Sequence, residues 1–367
     1  MKFRAAVLNR VNEPLTLDTL DMARLEPGDV LVKIRASGLC HTDLEVIQGS
    51  LAYPLPIVLG HEGAGIVEAV GSAVASVKPG DPVICSWNPH CGHCFYCERA
   101  APILCEPFTR HQPNGRLLDG STRMSRDGER VHHYSVTSTH AEYTVVPESG
   151  AIAIPKEMPF DRACIIGCGV MTGVGAVVRK AKVEPGASVL VIGCGAVGLN
   201  ALQGARLAGA GTIIAADVGA AKLQRAKTFG AMHAIDADAV DAVEQVRALT
   251  SGRGADYVFE AAGHPAAFRL SVEAVRPAGQ VVWLGKISVN QNVSFRWGSL
   301  MGEKRIVRSS YGDALPKRDF PWLCSLYLDA KLELDALITR RIALDEINDG
   351  FAGLARGEGI RTVIEMP

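Results

Sequence analysis

Apolar positions along the chain fall into two rhythms. Up to about residue 150, short β-branched runs alternate with turn signals. Val30-Leu31-Val32-Lys33-Ile34, Ile66-Val67-Glu68-Ala69-Val70 and Tyr143-Thr144-Val145-Val146 read as strands, with turns at Pro27-Gly28-Asp29 and Pro79-Gly80-Asp81. From about residue 185 the pattern changes. The runs Ser188–Ile192, Thr212–Ala216, Asp256–Glu260 and Gln280–Leu284 alternate with helix-like stretches such as Ala220–Phe229 and Ala239–Leu249. Apolar strands joined by helical crossovers predict a parallel sheet covered on both faces. The stretch Glu106–His133 is polar and aperiodic and reads as a long excursion outside the core. The tail predicts a helix over Trp322–Leu328 and a last strand, Arg361–Glu365.

Composition narrows the class. A chain of 367 residues holds roughly two domains. With 48% hydrophobic and 21% charged residues it is not a disordered chain. Lys plus Arg (38) nearly balances Asp plus Glu (39), which argues against nucleic acid as the main partner. The apolar run Ala163–Val178, 16 residues interrupted by four glycines, reads as short of a membrane span, and Ala5–Leu8 is too short for a signal-peptide core. The expectation is a cytoplasmic protein with no membrane partner, whose ten cysteines serve as thiols or metal ligands.

Three constellations carry candidate chemistry. Cys91, Cys94, Cys97 and Cys105 are separated by two, two and seven residues. Four thiolates so close can converge on one tetrahedral ion, and zinc suits all-sulfur coordination with no position left open. An iron–sulfur cluster and four unliganded buried cysteines are the rival readings. Cys40, His61 and Cys168 would make a second, three-ligand zinc site with a vacancy for water or substrate. Spacing alone cannot bring those positions together, and each taken singly reads as an ordinary core residue. Gly193-Cys194-Gly195-Ala196-Val197-Gly198 follows a predicted strand and opens a predicted helix, as a dinucleotide fingerprint requires. Asp217 ends the next strand, 19 residues past Gly198. A carboxylate there holds ribose hydroxyls and repels a 2′-phosphate, favouring NAD over NADP.

Taken in order, Gly60-His61-Glu62, the four-cysteine cluster, Cys168 and the glycine fingerprint resemble the zinc-dependent medium-chain alcohol dehydrogenases. The likeness runs from Val30 to Gly359-Ile360-Arg361-Thr362. It implies an α/β protein: a β-rich, GroES-like catalytic domain over 1–169 and 311–367, and a doubly wound Rossmann domain over 170–310, with the active cleft between them. It implies two zinc ions per subunit, the catalytic one on Cys40, His61 and Cys168, and NAD as coenzyme. Thr42 would receive the substrate proton, Asp43 would fix the His61 ring, and Glu62 would lie behind the zinc. Lys222 would flank the adenosine ribose with Asp217, Thr172 and Val197 would pack on the nicotinamide, and His41 and Arg361 would face the pyrophosphate. The polar excursion resembles that of the longer, liver-type members and implies a homodimer.

The chain departs from that family at several points. Glu45 stands where liver-type members often carry a proton-relay histidine, which makes it a candidate acceptor. His41 stands where many carry arginine, and an imidazole grips pyrophosphate less firmly than a guanidinium fork. The substrate pocket, placed by resemblance, comprises Thr42, Leu51, Trp87, Arg110, Tyr134, Ser135, Leu284 and Lys286. Trp87 suits a flat or slender primary alcohol, and Arg110 and Lys286 would attract a polar or anionic outer group. Glutathione-dependent formaldehyde dehydrogenases place acids before Gly-His-Glu and an arginine four residues after the last cluster cysteine. Here those positions are Gly49-Ser50-Leu51-Ala52-Tyr53 and Thr109, so that activity is an alternative, as is a nonenzymatic zinc- and NAD-binding protein. Cys85, Cys164, Cys194 and Cys324 read as small buried hydrophobes. His90, His93, His132, His133 and His140 read as surface or loop residues.

Overall fold

The run beginning at Val30 extends into the strand Asp29–Gly38, whose neighbours gather the chemistry of the protein. The computed structural model describes all 367 residues, in two units: Met1–Cys168 with Leu315–Pro367, and Gly169–Ala314. In the first unit Asp29–Gly38 pairs antiparallel with Glu62–Val70, with Tyr143–Pro147 and with Arg361–Glu365. Its register sets Gly38 opposite both Glu62 and Val363. The strand end leading into Cys40 therefore lies beside the segments that carry His61 and Arg361. The glycine is required, because a Cβ at Gly38 would stand 2.4 Å from Glu62 Oε2.

A small barrel completes this unit, built from Lys2–Leu8, Thr16–Met22, Met124–Arg126, Glu129–His133 and Ile57–Val58. The stretch read as an excursion outside the core thus contributes two barrel strands, and Phe108, Leu117, Met124 and Val131 are buried in it. Its polar composition conceals this because some of the polar groups are spent internally. The buried Arg123 guanidinium donates to Asp29 at 2.6 Å and to Asp119 at 2.7 Å. His133 and His140 are fully buried rather than superficial, whereas Cys85, Cys164, Cys194 and Cys324 are the small buried residues expected.

Helix Phe160–Ile165 packs against Asp29–Gly38 and Glu62–Val70. The helix then widens to π geometry over Ile166–Val170, the turn that carries Cys168. Such widenings recur at functional sites. The continuous helical run Phe160–Ala181 is 22 residues long, longer than the apolar stretch suggested, and passes a length-and-hydropathy test for a membrane span. Its most apolar window is 78% buried within the protein, as in a core helix. The tail helix starts earlier than predicted, at Pro316, a residue suited to a first helical turn.

The second unit is a six-stranded, all-parallel sheet. Its strand order is His233–Asp236, Thr212–Asp217, Ser188–Ile192, Ala255–Glu260, Val275–Trp283, Arg305–Arg308. This is the doubly wound arrangement of the Rossmann fold, with the order reversing beside the strand that precedes the glycine fingerprint.

Candidate active site

Ligand atoms of Cys40, His61, Glu62 and Cys168 all lie within 4.8 Å of one another. Cys40 caps the helix His41–Ile47, and His61 enters the strand beginning at Glu62. The buried Asp43 carboxylate ties them together. It accepts from Cys40 N (3.2 Å), from Gly60 N (3.0 Å) and from His61 Nδ1 (3.1 Å). With Nδ1 donating to Asp43, His61 Nε2 keeps its lone pair for a metal, the orientation that ligating imidazoles require.

Electrostatics point the same way. The neighbouring Cys168 thiol holds Cys40 well below its ordinary range, and Cys40 in turn raises Cys168. Burial pushes His61 down, but the charges of Asp43 and Cys40 outweigh it and hold the ring above its usual value. Burial raises Glu62 to about 7 against the opposing charge of Arg361. Arg361 Nη2 lies 3.1 Å from Glu62 Oε1 and is itself buried, which pairs this guanidinium with the carboxylate of the ligand cluster. Two thiols and an imidazole gathered this closely are a donor set that a divalent cation completes.

The four cysteines of the second cluster also converge, with their sulfurs within 4.8 Å. Cys91 N and Glu106 N donate to Cys105 Sγ and Cys94 Sγ at 3.3 and 3.5 Å. The Glu106 amide lowers Cys94 to about 6, whereas burial pushes Cys97 up to about 12. Four sulfurs this close suit one tetrahedral cation and leave it no open corner.

Each fingerprint glycine has its own role. Gly193 adopts φ +94°, a Cβ at Gly198 would stand 1.7 Å from the Gly193 carbonyl, and one at Gly195 would meet nothing within 4 Å. Turn, close packing and open approach are the three requirements for a pyrophosphate cradle. The Asp217 carboxylate is held by Cys194 N (2.7 Å) and Gly219 N (2.9 Å), with Lys222 Nζ at 3.8 Å. Val197 and Thr172 are half-buried in the same unit.

Thr42 is half-buried, 3.8 Å from Cys40 Sγ. His41 is exposed and Glu45 half-buried on the same helix. Leu51, Trp87, Tyr134 and Ser135 belong to this unit, Trp87 lying 6.4 Å from Phe108 between ring centres. Tyr134 is 1% exposed, so it packs inside the wall rather than lining an open surface. Arg110 is exposed, while Leu284 (buried) and Lys286 (exposed) belong to the dinucleotide unit. Sequence reasoning missed Tyr53, whose ring meets Tyr134 edge-on at 4.9 Å and whose hydroxyl accepts from the Gln112 amide. Neither residue belongs to a motif. The only signal was an aromatic at the end of the stretch Gly49–Tyr53, two residues past Leu51.

Comparison with known proteins agrees with this geometry. Residues 26–156 match the family described as the alcohol dehydrogenase GroES-like domain, and residues 196–329 match the zinc-binding dehydrogenase family. An S-(hydroxymethyl)glutathione dehydrogenase of Paracoccus denitrificans is 39% identical over 99% of this chain and 100% of its own length. An alcohol dehydrogenase class-3 of Cereibacter sphaeroides is 37% identical with the same coverage. Among solved structures, an alcohol dehydrogenase zinc-binding domain protein from Burkholderia ambifaria superposes with a TM-score of 0.96 at 35% identity, covering 100% of this chain and 99% of its own. The benzyl alcohol dehydrogenase of Acinetobacter calcoaceticus gives 0.94 at 32%, covering all of both chains.

Fold and site together define a dehydrogenase built on a zinc-binding β lobe and a dinucleotide-binding sheet. The chain belongs to the zinc-dependent medium-chain alcohol dehydrogenases, enzymes that work with zinc and a nicotinamide dinucleotide on small alcohols or aldehydes.

Proposed function

We propose that this enzyme interconverts a primary, aromatic alcohol and its aldehyde, with NAD as hydride partner. The observation that carries the reading is aromatic. Tyr53, Tyr134 and the His61 ring follow one another edge to face, at 4.9 and 5.7 Å between centres, beside Thr42. Tyr134 and His61 are buried and back the half-buried Tyr53, so Tyr53 is the ring of this group that can meet a flat substrate edge to face. The benzyl alcohol dehydrogenase neighbour is consistent with it.

Zinc on Cys40, His61 and Cys168 would act as a Lewis acid toward the substrate oxygen, and NAD would accept the hydride. The chain's own residues do the rest. Asp43 fixes the imidazole, Arg361 offsets the charge of Glu62, and the Thr42 hydroxyl takes the substrate proton. Asp217 selects a free ribose over a phosphorylated one. Asp217→Asn should therefore narrow the preference for NAD over NADP by on the order of tenfold in kcat/KM, and an unchanged ratio would remove Asp217 from coenzyme choice.

A second reading, oxidation of the glutathione–formaldehyde adduct, is favoured by the 39% identical relatives. Against it stand the acid-free stretch Gly49–Tyr53, which offers the ammonium of the tripeptide no carboxylate, and Thr109, although Arg110 is next to it. Steady-state kinetics with benzyl alcohols, their carboxylated analogues and S-hydroxymethylglutathione separate these readings. The proposal expects the aromatic alcohols to give the highest kcat/KM. A higher value for the glutathione adduct overturns it, and a preference for the carboxylated analogues assigns a role to Arg110 and Lys286.

The reading includes a cytoplasmic homodimer. Val289, Trp297 and Met301 are 97%, 77% and 59% exposed on the dinucleotide unit, and large apolar side chains so exposed suit a covered face.

A further inference from the structure

Tyr134 opens a segment with unusual backbone. Ser135, Val136 and Ser138 have φ of 48°, 58° and 55°, the left-handed region that non-glycine residues seldom enter, a β-branched valine least of all. Such a conformation is strained and persists only where surrounding contacts over-determine it. Those contacts all lead to one place. Thr137 Oγ1 and Thr139 N donate to the Gly60 carbonyl (both 3.0 Å), Ser138 Oγ to the Val58 carbonyl (2.8 Å), and His140 N to the Leu59 carbonyl (3.0 Å). Tyr134 N in turn donates to Ser138 Oγ at 2.8 Å. The segment is thus laced to the three residues that precede His61, at the expense of its own backbone.

The lacing delivers one side chain. The Tyr134 hydroxyl donates to the Thr42 carbonyl at 3.3 Å, while its ring stands edge-on to His61 at 5.7 Å. We propose that Tyr134 is a positioning residue for the reaction: its phenol anchors the first turn of helix His41–Ile47 and so sets where the Thr42 hydroxyl stands when it takes the substrate proton. This rests on the reading of Thr42 as proton acceptor. The residue touches neither substrate nor coenzyme in this role, and it acts through the backbone of its neighbour.

A double-mutant cycle of Tyr134→Phe and Thr42→Ala tests it, with zinc content and thermal midpoint measured on every variant. Tyr134→Phe keeps the ring and removes one hydrogen bond, so kcat should fall roughly fivefold with KM nearly unchanged, and the solvent deuterium isotope effect should rise. In the Thr42→Ala background the same change should cost nothing further, since the hydroxyl it positions is gone. Losses that multiply, or a Tyr134→Phe enzyme equal to wild type, overturn the proposal. Loss of zinc from Tyr134→Phe also overturns it, by showing that the ring serves His61 instead. If Thr42→Ala alone leaves kcat intact, the reading of Thr42 fails and the proposal falls with it, a result distinct from the others.

Discussion

At the scale of single residues, burial decides which titrating groups matter. His133 is fully buried, and its Nε2 accepts from Arg123 N at 3.3 Å. Burial, reinforced by the Arg123 charge, lowers it to about 3. The ring is therefore neutral when folded, whereas in the unfolded chain it titrates near 6.5. Because the folded value is depressed, this contribution to stability is complete above about pH 6.5 and is lost as pH falls toward 3. Between pH 6.5 and about pH 4.5 the loss is about 2–3 kcal/mol. Urea unfolding of wild type and His133→Asn over that range checks it: the variant should lose stability less steeply, and parallel slopes would contradict the account. None of this was legible in the sequence, where a lone histidine reads the same whether exposed or buried. Cys40, His61 and Cys168 were in a similar position. Their types suggested ligands, but only the resemblance grouped them, since 128 residues separate the first from the last.

The scale of elements supplies what spacing could not. The register of Asp29–Gly38, with Gly38 opposite both Glu62 and Val363, gathers three distant segments. No local pattern records a register between strands far apart in the chain. Uninterrupted apolar strands, such as Ser188–Ile192, were plain from their runs. The barrel strands Met124–Arg126 and Glu129–His133 were not, because polar residues interrupt them, Arg126 for one donating to Asn9 Oδ1 at 2.9 Å. The glycine fingerprint was fully legible, and the structure separates its parts. Gly195→Ala should fold normally, since its Cβ meets open space, yet bind NAD on the order of tenfold more weakly. Gly198→Ala drives a Cβ into the Gly193 carbonyl and should destabilise the protein by about 1–3 kcal/mol or more. Calorimetric titration with NAD and thermal unfolding distinguish the two; equal behaviour would contradict the assignment of roles.

For the whole molecule, two units each contribute a complete cradle: thiolates and an imidazole in one, a glycine turn and an acid in the other. If the exposed apolar residues of the dinucleotide unit meet a second copy, Trp297→Asp should shift sedimentation from dimer to monomer, and an unchanged coefficient would exclude that face. The central claim is that Cys40, His61 and Cys168 hold a metal distinct from the one held by Cys91, Cys94, Cys97 and Cys105. The zinc content of purified wild type and His61→Ala tests this most directly. The account predicts two zinc ions per chain falling to one, with the fold retained and no NAD reduction on adding alcohol. A His61→Ala protein that keeps both ions and still oxidises alcohol would contradict it.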